Sequence, residues 1–255
     1  MIITKLQGGL GNQLFQWAVT KSLSIKYNTE YYFDNYYFSL KKNDDVSKFS
    51  LDIENIVNIN INNYVGKLPI IYDDFIHKDI YDNSILDGYW QSEKYFIEIE
   101  DIIRNELEIN LDTYNYILNK YPIINENTLS IHIRRGDYTK LQHIHPLQSI
   151  EYYESAYDII NDKSINVLVF SDDIEWCKNN IKFENITYIE GETNIVDMYI
   201  MSLCKHNIIA NSSFSWWGAW LNKNKNKKVI APINWFGPSS TFYTGDIIPE
   251  KWMRI

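Results

Sequence analysis

The second half of the chain alternates between short apolar runs and longer segments in which apolar residues recur with helical spacing. The run Leu129–Ile133 alternates as a strand does and leads into a polar segment that contains a glycine. After it, the pattern predicts helix 149–161, strand 166–170, helix 173–180, strand 186–189, helix 194–205, strand 207–210, helix 215–222 and strand 228–231. Strands that alternate with helices in this way predict a parallel sheet covered by helices on both faces.

The first half opens with a similar unit but is less regular. Residues 2–6 predict a strand that ends at the glycine-rich segment 8–13, a helix follows from Gln13, and residues 30–33 predict a second strand. The apolar face of this helix is predicted to consist of Leu14, Trp17, Ala18, Leu23 and Ile25. Residues 40–65 are rich in Asn and Asp and predict short irregular elements. A further helix is predicted to start within 92–96 and to continue through 97–107.

Together the two halves predict an α/β fold with two Rossmann-like domains. The polar segment 125–127 is the predicted boundary, which gives domains of residues 1–125 and 126–255. The prediction leaves open that the C-terminal tail packs back on the N-terminal half.

Composition narrows the class of protein. The 255 residues carry a formal net charge of -9, which argues against nucleic-acid binding through a basic surface. Cys177 and Cys204 lack the spacing of a metal site and are predicted to be reduced, buried thiols. The N-terminus lacks signal-peptide features, and no run of about 18 apolar residues occurs. We therefore expect a cytoplasmic enzyme, and a peripheral position at the inner face of the membrane stays open.

Two arginines follow the apolar end of the strand at 129–133. In open α/β sheets, ligands bind beyond the carboxyl ends of the strands, and guanidinium groups suit a pyrophosphate. Because adjacent strand residues point to opposite faces, we expect one of Arg134 and Arg135 to reach the ligand. The other should brace the loop, with Asp137 as its partner. A purely structural cluster of salt bridges fits this spacing equally well.

A second polar segment, Asn211–Trp220, follows a predicted strand and opens a helix. Free backbone N–H groups, a positive helix end and three serine hydroxyls favour an anion site there. Helix capping explains one serine but not all three.

The glycine-rich segment and the acidic residues give weaker evidence for a function. Gly8–Gln13 resembles a dinucleotide fingerprint, but Leu14 occupies the position of the last glycine, so a tight turn with positive φ explains it as well. No Asp-x-Asp triplet occurs, although Asp172–Asp173 follows the end of a predicted strand. We therefore expect no metal or other cofactor, with Arg neutralising the leaving diphosphate. The absence of a Gly-x-Ser-x-Gly elbow leaves hydrolase chemistry unsupported.

Four segments resemble the α-1,2-fucosyltransferases of glycosyltransferase family 11. They are Gly8–Gln13, Gly88–Phe96, His132–Tyr138, and Asp197–Met198 together with Asn211–Trp220. They occur in the family's order and span nearly the whole chain. The resemblance implies a GT-B-like fold with two domains facing across a cleft and a role in O-antigen or other surface-glycan synthesis. It also implies GDP-L-fucose as donor, held by the C-terminal domain, inversion without a metal, and transfer to the 2-hydroxyl of a galactose-containing glycan.

The resemblance also assigns residues. Arg134 or Arg135 takes the diphosphate, His132 lies beside GDP and Asp197 reads guanine. The residues assigned to the phosphate and base segment are Asn211, Ser212, Ser213 and Phe214. Asn12 reaches the reacting sugar, and the residues assigned to the acceptor side are Gly9, Gly11 and Gln13.

The proton acceptor stays open. Where some relatives carry a Glu, this chain has Gln142, so Asp137, His143 and His145 are the candidate bases. The alternative is a dissociative reaction in which departing GDP or water takes the proton. Two other functions also stay open, namely transfer from another nucleotide sugar and carbohydrate binding without catalysis. The sequence indicates no oligomeric state.

Overall fold

The structure of the protein is a computed structural model that describes residues 1–34, 67–72, 80–125, 127–240 and 244–255. The chain divides into two compact units. The first unit comprises residues 1–108 with 242–249, and the second comprises 109–241 with 250–255. The C-terminal region is thus shared between the units, and the first one ends before the predicted boundary at 125–127. The irregular elements predicted for residues 40–65 lie outside the described residues.

The first unit contains a parallel sheet of four strands. The strands are β1 (Ile2–Lys5), β2 (Tyr31–Asp34), β3 (Ile70–Tyr72) and β4 (Ser84–Asp87), in the order β2-β1-β4-β3. Among the described residues of this unit, the helices are α1 (Leu10–Tyr27) and α2 (Glu100–Glu106), and two 3-10 turns span Glu93–Tyr95 and Ile97–Ile99. The sequence pattern did not predict β3 and β4, and it predicted one continuous helix where two 3-10 turns precede α2.

Helix α1 begins three residues earlier than predicted. The backbone N–H groups of Asn12 and Gln13 both bond to the carbonyl oxygen of Gly9, at 3.0 and 3.1 Å, so the first turn forms directly on the glycines. The apolar face is confirmed except at Ile25, which is 44% exposed near the end of the helix.

The second unit contains a parallel sheet of six strands in the order β10-β9-β8-β5-β6-β7. Its strands are β5 (Thr128–Ile133), β6 (Asn166–Ser171), β7 (Ile186–Tyr188), β8 (His206–Ile208), β9 (Val229–Ala231) and β10 (Met253–Arg254). Its helices are α3 (Leu111–Lys120), α4 (Ile150–Ile160), α5 (Ile174–Asn180), α6 (Asn194–Leu203) and α7 (Ser213–Leu221). The alternation predicted for residues 129–231 is confirmed with small shifts at the ends, whereas α3 and β10 were not predicted.

Strand β5 lies inside this sheet, between β8 and β6, and all six of its residues are buried. Leu129, Ile131 and Ile133 pack into the core that also contains Tyr153 and Cys177. Because β5 continues into the arginine segment, the sheet places that segment at its carboxyl edge, where α/β folds bind ligands.

Candidate functional site

Arg135 is held against helix α5. Its guanidinium carbon lies 3.8 Å from the ring centroid of Trp176, and its Nε lies 3.1 Å from Oδ2 of Asp173. Asp173 in turn accepts the backbone N–H of Trp176 and so caps α5. Stacking on one side and an ion pair on the other fix this side chain, which is 18% exposed.

Arg134 has a different environment and is 33% exposed. Its Nη2 lies 2.6 Å from Oδ1 of Asp137, and its Nη1 lies 2.8 Å from Oδ2 of Asp172. The other oxygen of Asp172 accepts the backbone N–H of Arg135 at 2.8 Å. A Cβ atom at Gly136 would collide with the Asp172 carboxylate, so glycine is what allows this carboxylate to approach. Asp137 therefore pairs with Arg134, together with Asp172, whereas Arg135 is braced by Asp173 and not by Asp137.

His132 is buried beside Phe214, and the centroids of their rings are 5.5 Å apart. Burial, and secondarily the charge of Arg134, lower the pKa of His132 to about 3, so the imidazole is neutral at physiological pH. Its Nδ1 is buried and has no hydrogen-bonding partner among the described residues.

The first turn of α7 differs from those of its neighbours in capping. Side chains of Ser149, Asp173 and Thr193 cap α4, α5 and α6. At α7, Ser212 occupies the N-cap position, but its side chain makes no capping hydrogen bond within the described part of the chain. The structure thus gives Ser212 no capping role, and the positive end of α7 keeps N–H groups for an anion.

Asp197 lies in the first turn of α6. Burial, and secondarily the charge of Glu192, raise the pKa of Asp197 to about 7. Its Oδ1 is buried and lacks a hydrogen-bonding partner in the part of the chain that the structure describes. Such a carboxyl group accepts hydrogen bonds from a ligand best once it has lost its proton.

Asn211 is 2% exposed and ties three segments together. Its Nδ2 donates to the carbonyl oxygens of Pro146 and Trp235, at 3.1 and 3.0 Å, and its Oδ1 accepts from Gln148. Its own carbonyl oxygen accepts the hydroxyl of Tyr138 at 3.2 Å. These contacts make Asn211 a support for the turn before α7, and its predicted donor contact stays a prediction.

The candidate bases share one loop with Gln142, whose amide donates to the carbonyl oxygen of Thr139. His145 stacks on Tyr138 with ring centroids 4.7 Å apart, and burial is the main cause that lowers its pKa. Asp137 is occupied by Arg134.

In the first unit, the glycine-rich segment presents Asn12. Gly8 has φ of +80°, as its tight-turn interpretation requires. Gln91 donates from Nε2 to Oδ1 of Asn12 at 2.7 Å, and Gln13 donates to the carbonyl oxygen of Gly8 at 3.0 Å. Gly9 is the N-cap of α1, and Gly11 lies in its first turn. Two of the segments that carry the family resemblance therefore meet at Asn12 and Gln91.

Sequence reasoning missed four contributors to these sites. Asp172 and Asp173 were considered only for metal binding, although they follow β6, the parallel neighbour of β5, and must lie at the same edge of the sheet. Trp176 gave no signal, because only the tertiary fold brings it to Arg135. Gln91 was part of the segment Gly88–Phe96 but was assigned no role, and its contact with Asn12 is formed by the fold.

Neither a metal centre nor a membrane span is found in the described ranges. No group of three or more His, Cys, Asp or Glu residues there is arranged to hold a metal ion. No helix there is long and apolar enough to cross a bilayer.

Comparison with solved structures defines the class of protein. The chain is similar to the NodZ α-1,6-fucosyltransferase of Bradyrhizobium, with a TM-score of 0.52, 15% identity, and coverage of 86% of this chain and 91% of that one. It is also similar to ADP-heptose lipopolysaccharide heptosyltransferase II of Escherichia coli, with a TM-score of 0.53, 12% identity, and coverage of 100% and 89%. The predicted α/β class is confirmed, and the fold is that of GT-B glycosyltransferases.

The sequence comparisons define the family. The family model described as Glycosyl transferase family 11 matches residues 3–255, and the chain belongs to this family. It is 35% identical to an α-1,2-colitosyltransferase of Escherichia coli, over 100% of this chain and 99% of that protein. It is 32% identical to the O-antigen biosynthesis glycosyltransferase WbnK of Escherichia coli, over 98% and 99%. The protein is therefore a glycosyltransferase.

Proposed function

We propose that this glycosyltransferase moves L-fucose from GDP-fucose to the 2-hydroxyl of a galactoside, with inversion and formation of an α-1,2 linkage. The supporting observation is the pair of buried, unpartnered polar atoms, Nδ1 of His132 and Oδ1 of Asp197, in the described part of the second unit. A buried polar atom without a partner costs about 1–3 kcal/mol. Hydrogen-bonding groups of a guanine nucleoside would remove that cost, and the N–H edge of guanine suits Asp197.

Arg134 is the residue that we assign to the donor diphosphate. It follows His132 by two residues, so both side chains lie on one face of the β5 edge, the face that carries Phe214 at the start of α7. Arg135 lies on the other face, against Trp176. In the transition state, negative charge grows on the β-phosphate, and a preorganised guanidinium stabilises it more than it stabilises the bound donor.

For the proton of the acceptor hydroxyl, we propose the dissociative route. The bond from the anomeric carbon to the β-phosphate oxygen breaks early, the acceptor oxygen bonds to the anomeric carbon, and the departing diphosphate or water takes the proton. Asp137, His143 and His145 are the alternative acceptors. This route needs no metal, so we expect EDTA to leave the rate unchanged, and restoration of a lost rate by a divalent cation would contradict it.

A colitosyl donor is the second candidate, favoured by the identity with the α-1,2-colitosyltransferase over the whole chain. Colitose is L-fucose without its 3-hydroxyl group. A site that hydrogen-bonds this hydroxyl discriminates against the deoxy sugar by about 10⁴-fold or more, whereas an apolar site discriminates against the hydroxyl only about 100-fold. The ratio of kcat/KM for GDP-fucose and GDP-colitose therefore separates the two donors.

The deciding experiment measures GDP release from GDP-fucose with and without lactose, together with the thermal shift produced by GDP and by UDP. We expect release that depends on lactose and a larger shift with GDP. A larger shift with UDP would indicate another nucleotide sugar. Binding of GDP-fucose and lactose without release of GDP would indicate a carbohydrate-binding protein and contradict the proposed activity.

A further inference from the structure

Glu192 is the centre of a hydrogen-bonded cluster in the second unit. Its carboxylate accepts the hydroxyl of Tyr121 at 2.7 Å, accepts that of Tyr116 at 3.0 and 3.1 Å, and forms an ion pair with Lys120. The Lys120 ammonium lies 5.5 Å from the ring centroid of Tyr116 and 5.4 Å from that of Tyr121. With a side chain that is 4% exposed, Glu192 is an almost buried carboxylate that three donors surround.

These contacts keep Glu192 ionised. Burial alone would raise its pKa, but the hydrogen bonds from Lys120, Tyr121 and Tyr116 outweigh burial and lower it. The cluster therefore fixes one negative charge at a defined place, just before the Thr193 N-cap of α6.

The fixed charge is close to Asp197. The backbone N–H of Asp197 bonds to the carbonyl oxygen of Thr193 at 2.9 Å, so one helical turn connects Asp197 to the residue that follows Glu192. Glu192 is also the charged neighbour that acts on the Asp197 carboxyl, in the same direction as burial.

Apart from the Lys120–Glu192 pair, the neighbouring groups named here carry no charge near neutral pH. Helix α7 packs along α6, and its residues Ser213–Leu221 include no titratable side chain. His132 on β5 is neutral, and burial raises the pKa of Tyr199 on α6 to about 12. On α3, the groups that face this region are Tyr116 and Lys120, which bind Glu192. The Lys120–Glu192 pair is therefore the electrostatic control on Asp197 within the described chain.

We propose that Glu192 is a positioning residue that, together with burial, favours the protonated form of Asp197 in the free enzyme, so that binding of a guanine nucleotide releases a proton from Asp197. This inference rests on the proposed function, in which the N–H groups of guanine donate to the Asp197 carboxylate. The proton leaves the carboxyl group for the solvent, and the resulting carboxylate accepts the N–H groups. Glu192 itself touches neither substrate.

The sign of the pH dependence follows from this linkage. The nucleotide binds the ionised form of Asp197, so its affinity rises with pH until the carboxyl of the free enzyme is fully ionised. From the pKa of about 7, Kd should fall about tenfold between pH 6 and pH 8. In Glu192→Gln the pKa of Asp197 should drop, which raises affinity at pH 6 and leaves affinity at pH 8 nearly unchanged.

The experiment is isothermal titration calorimetry of GDP-fucose binding between pH 6 and pH 8, in two buffers with different ionisation enthalpies. The phosphates of GDP-fucose are diesters and do not titrate in this range, whereas the terminal phosphate of GDP would. We expect proton release by the wild type near pH 6.5 and less release by Glu192→Gln. The matched control is Glu190→Gln, because Glu190 is half exposed and pairs with Lys178 instead.

Lys120→Met separates electrostatic control from a structural role. It removes the positive charge of the pair while the hydroxyls of Tyr116 and Tyr121 still hold the Glu192 carboxylate, so it should move the pH midpoint of binding upward, opposite to Glu192→Gln. Midpoints that move in the same direction, or proton release in Glu192→Gln equal to that of the wild type, would overturn the proposal. If Glu192→Gln does not fold, Lys120→Met and the wild-type buffer comparison still decide. A failure of the proposed function would give a different result. GDP-fucose would then not bind at any pH, whereas a UDP-sugar would bind.

Discussion

At the scale of single residues, the two adjacent arginines have separate environments. Arg135 is stacked on Trp176 and paired with Asp173, so its charge is already compensated within the protein. Arg134 is more exposed, and its partners Asp137 and Asp172 hold its guanidinium from two sides. A diphosphate can replace the exposed Asp137 while Asp172 keeps the side chain in place.

We expect Arg134→Ala and Arg135→Ala to affect different quantities. Removing a charge that pairs with a bound ligand costs about 2–5 kcal/mol, so Arg134→Ala should lower kcat/KM by about 30- to 4,000-fold. Arg135→Ala should lower the free energy of unfolding by about 1–2 kcal/mol through the lost stacking on Trp176, with a smaller loss of kcat/KM. Steady-state kinetics and urea unfolding measure both, and equal, mild losses of activity would contradict the phosphate assignment.

Part of this site was predictable from the sequence. The alternation of strand residues predicts that Arg134 and Arg135 diverge and that His132 lies on the side of Arg134. It does not say which side binds the ligand, because that depends on Phe214 and Trp176, which come from helices far along the chain. The raised pKa of Asp197 could not be predicted from the sequence either, because it depends on burial and on Glu192, which side chains of α3 hold in place.

At the scale of elements, the turn before α1 shows why two adjacent glycines differ. Gly8 has φ of +80°, and a Cβ atom there would lie 2.5 Å from Nδ2 of Asn12. Gly9 has φ of -80° at the N-cap and open space around it. Only the first position needs glycine for its backbone, and the same position controls where Asn12 points.

The same substitution should therefore have different effects at the two positions. Gly8→Ser should lower the free energy of unfolding by about 1–2 kcal/mol, because a side chain disfavours positive φ. Gly9→Ser should change it by about 0.5 kcal/mol or less, since serine is a favourable N-cap residue. Urea denaturation of both variants checks this, and a larger loss in Gly9→Ser would show that the turn has been misassigned.

Elements of the second unit were easier to predict than those of the first. Helices α4, α5 and α6 each carry a local N-cap, and the strands between them are short apolar runs. Strands β3 and β4 are short, and β4 pairs with β1 across more than 80 residues of chain, so nothing local specifies them. Helix α3 was missed although Leu111, Tyr114, Ile117 and Leu118 recur with helical spacing, and only Ile117 of the helix is fully buried.

At the scale of the whole molecule, the C-terminal region is divided between the units. Residues 242–249 belong to the first unit and residues 250–255 to the second. Within the first unit, Asp246 pairs with Lys94. Within the second, Trp252 packs on Trp216 with ring centroids 5.4 Å apart, and β10 pairs with β9. A change in this region can therefore be directed at one unit or at both.

Two deletions test this division by hydrogen exchange. Deleting residues 250–255 should speed amide exchange in β9, which becomes an edge strand, and leave β1 and the turn at Glu93–Tyr95 protected. Deleting residues 242–255 should speed exchange in both places, because the Lys94 partner is lost as well. Unchanged exchange around Glu93–Tyr95 in the longer deletion would contradict the assignment of 242–249 to the first unit.

The order in which the chain visits the two units also constrains recombination between relatives. The chain passes from one unit to the other at 108/109, 241/242 and 249/250. A single genetic crossover near residue 108 therefore exchanges the second unit together with the short piece 242–249 that completes the first. A chimera that carries donor recognition from one relative on the intact first unit of another needs crossovers on both sides of residues 242–249, so that this piece keeps its origin.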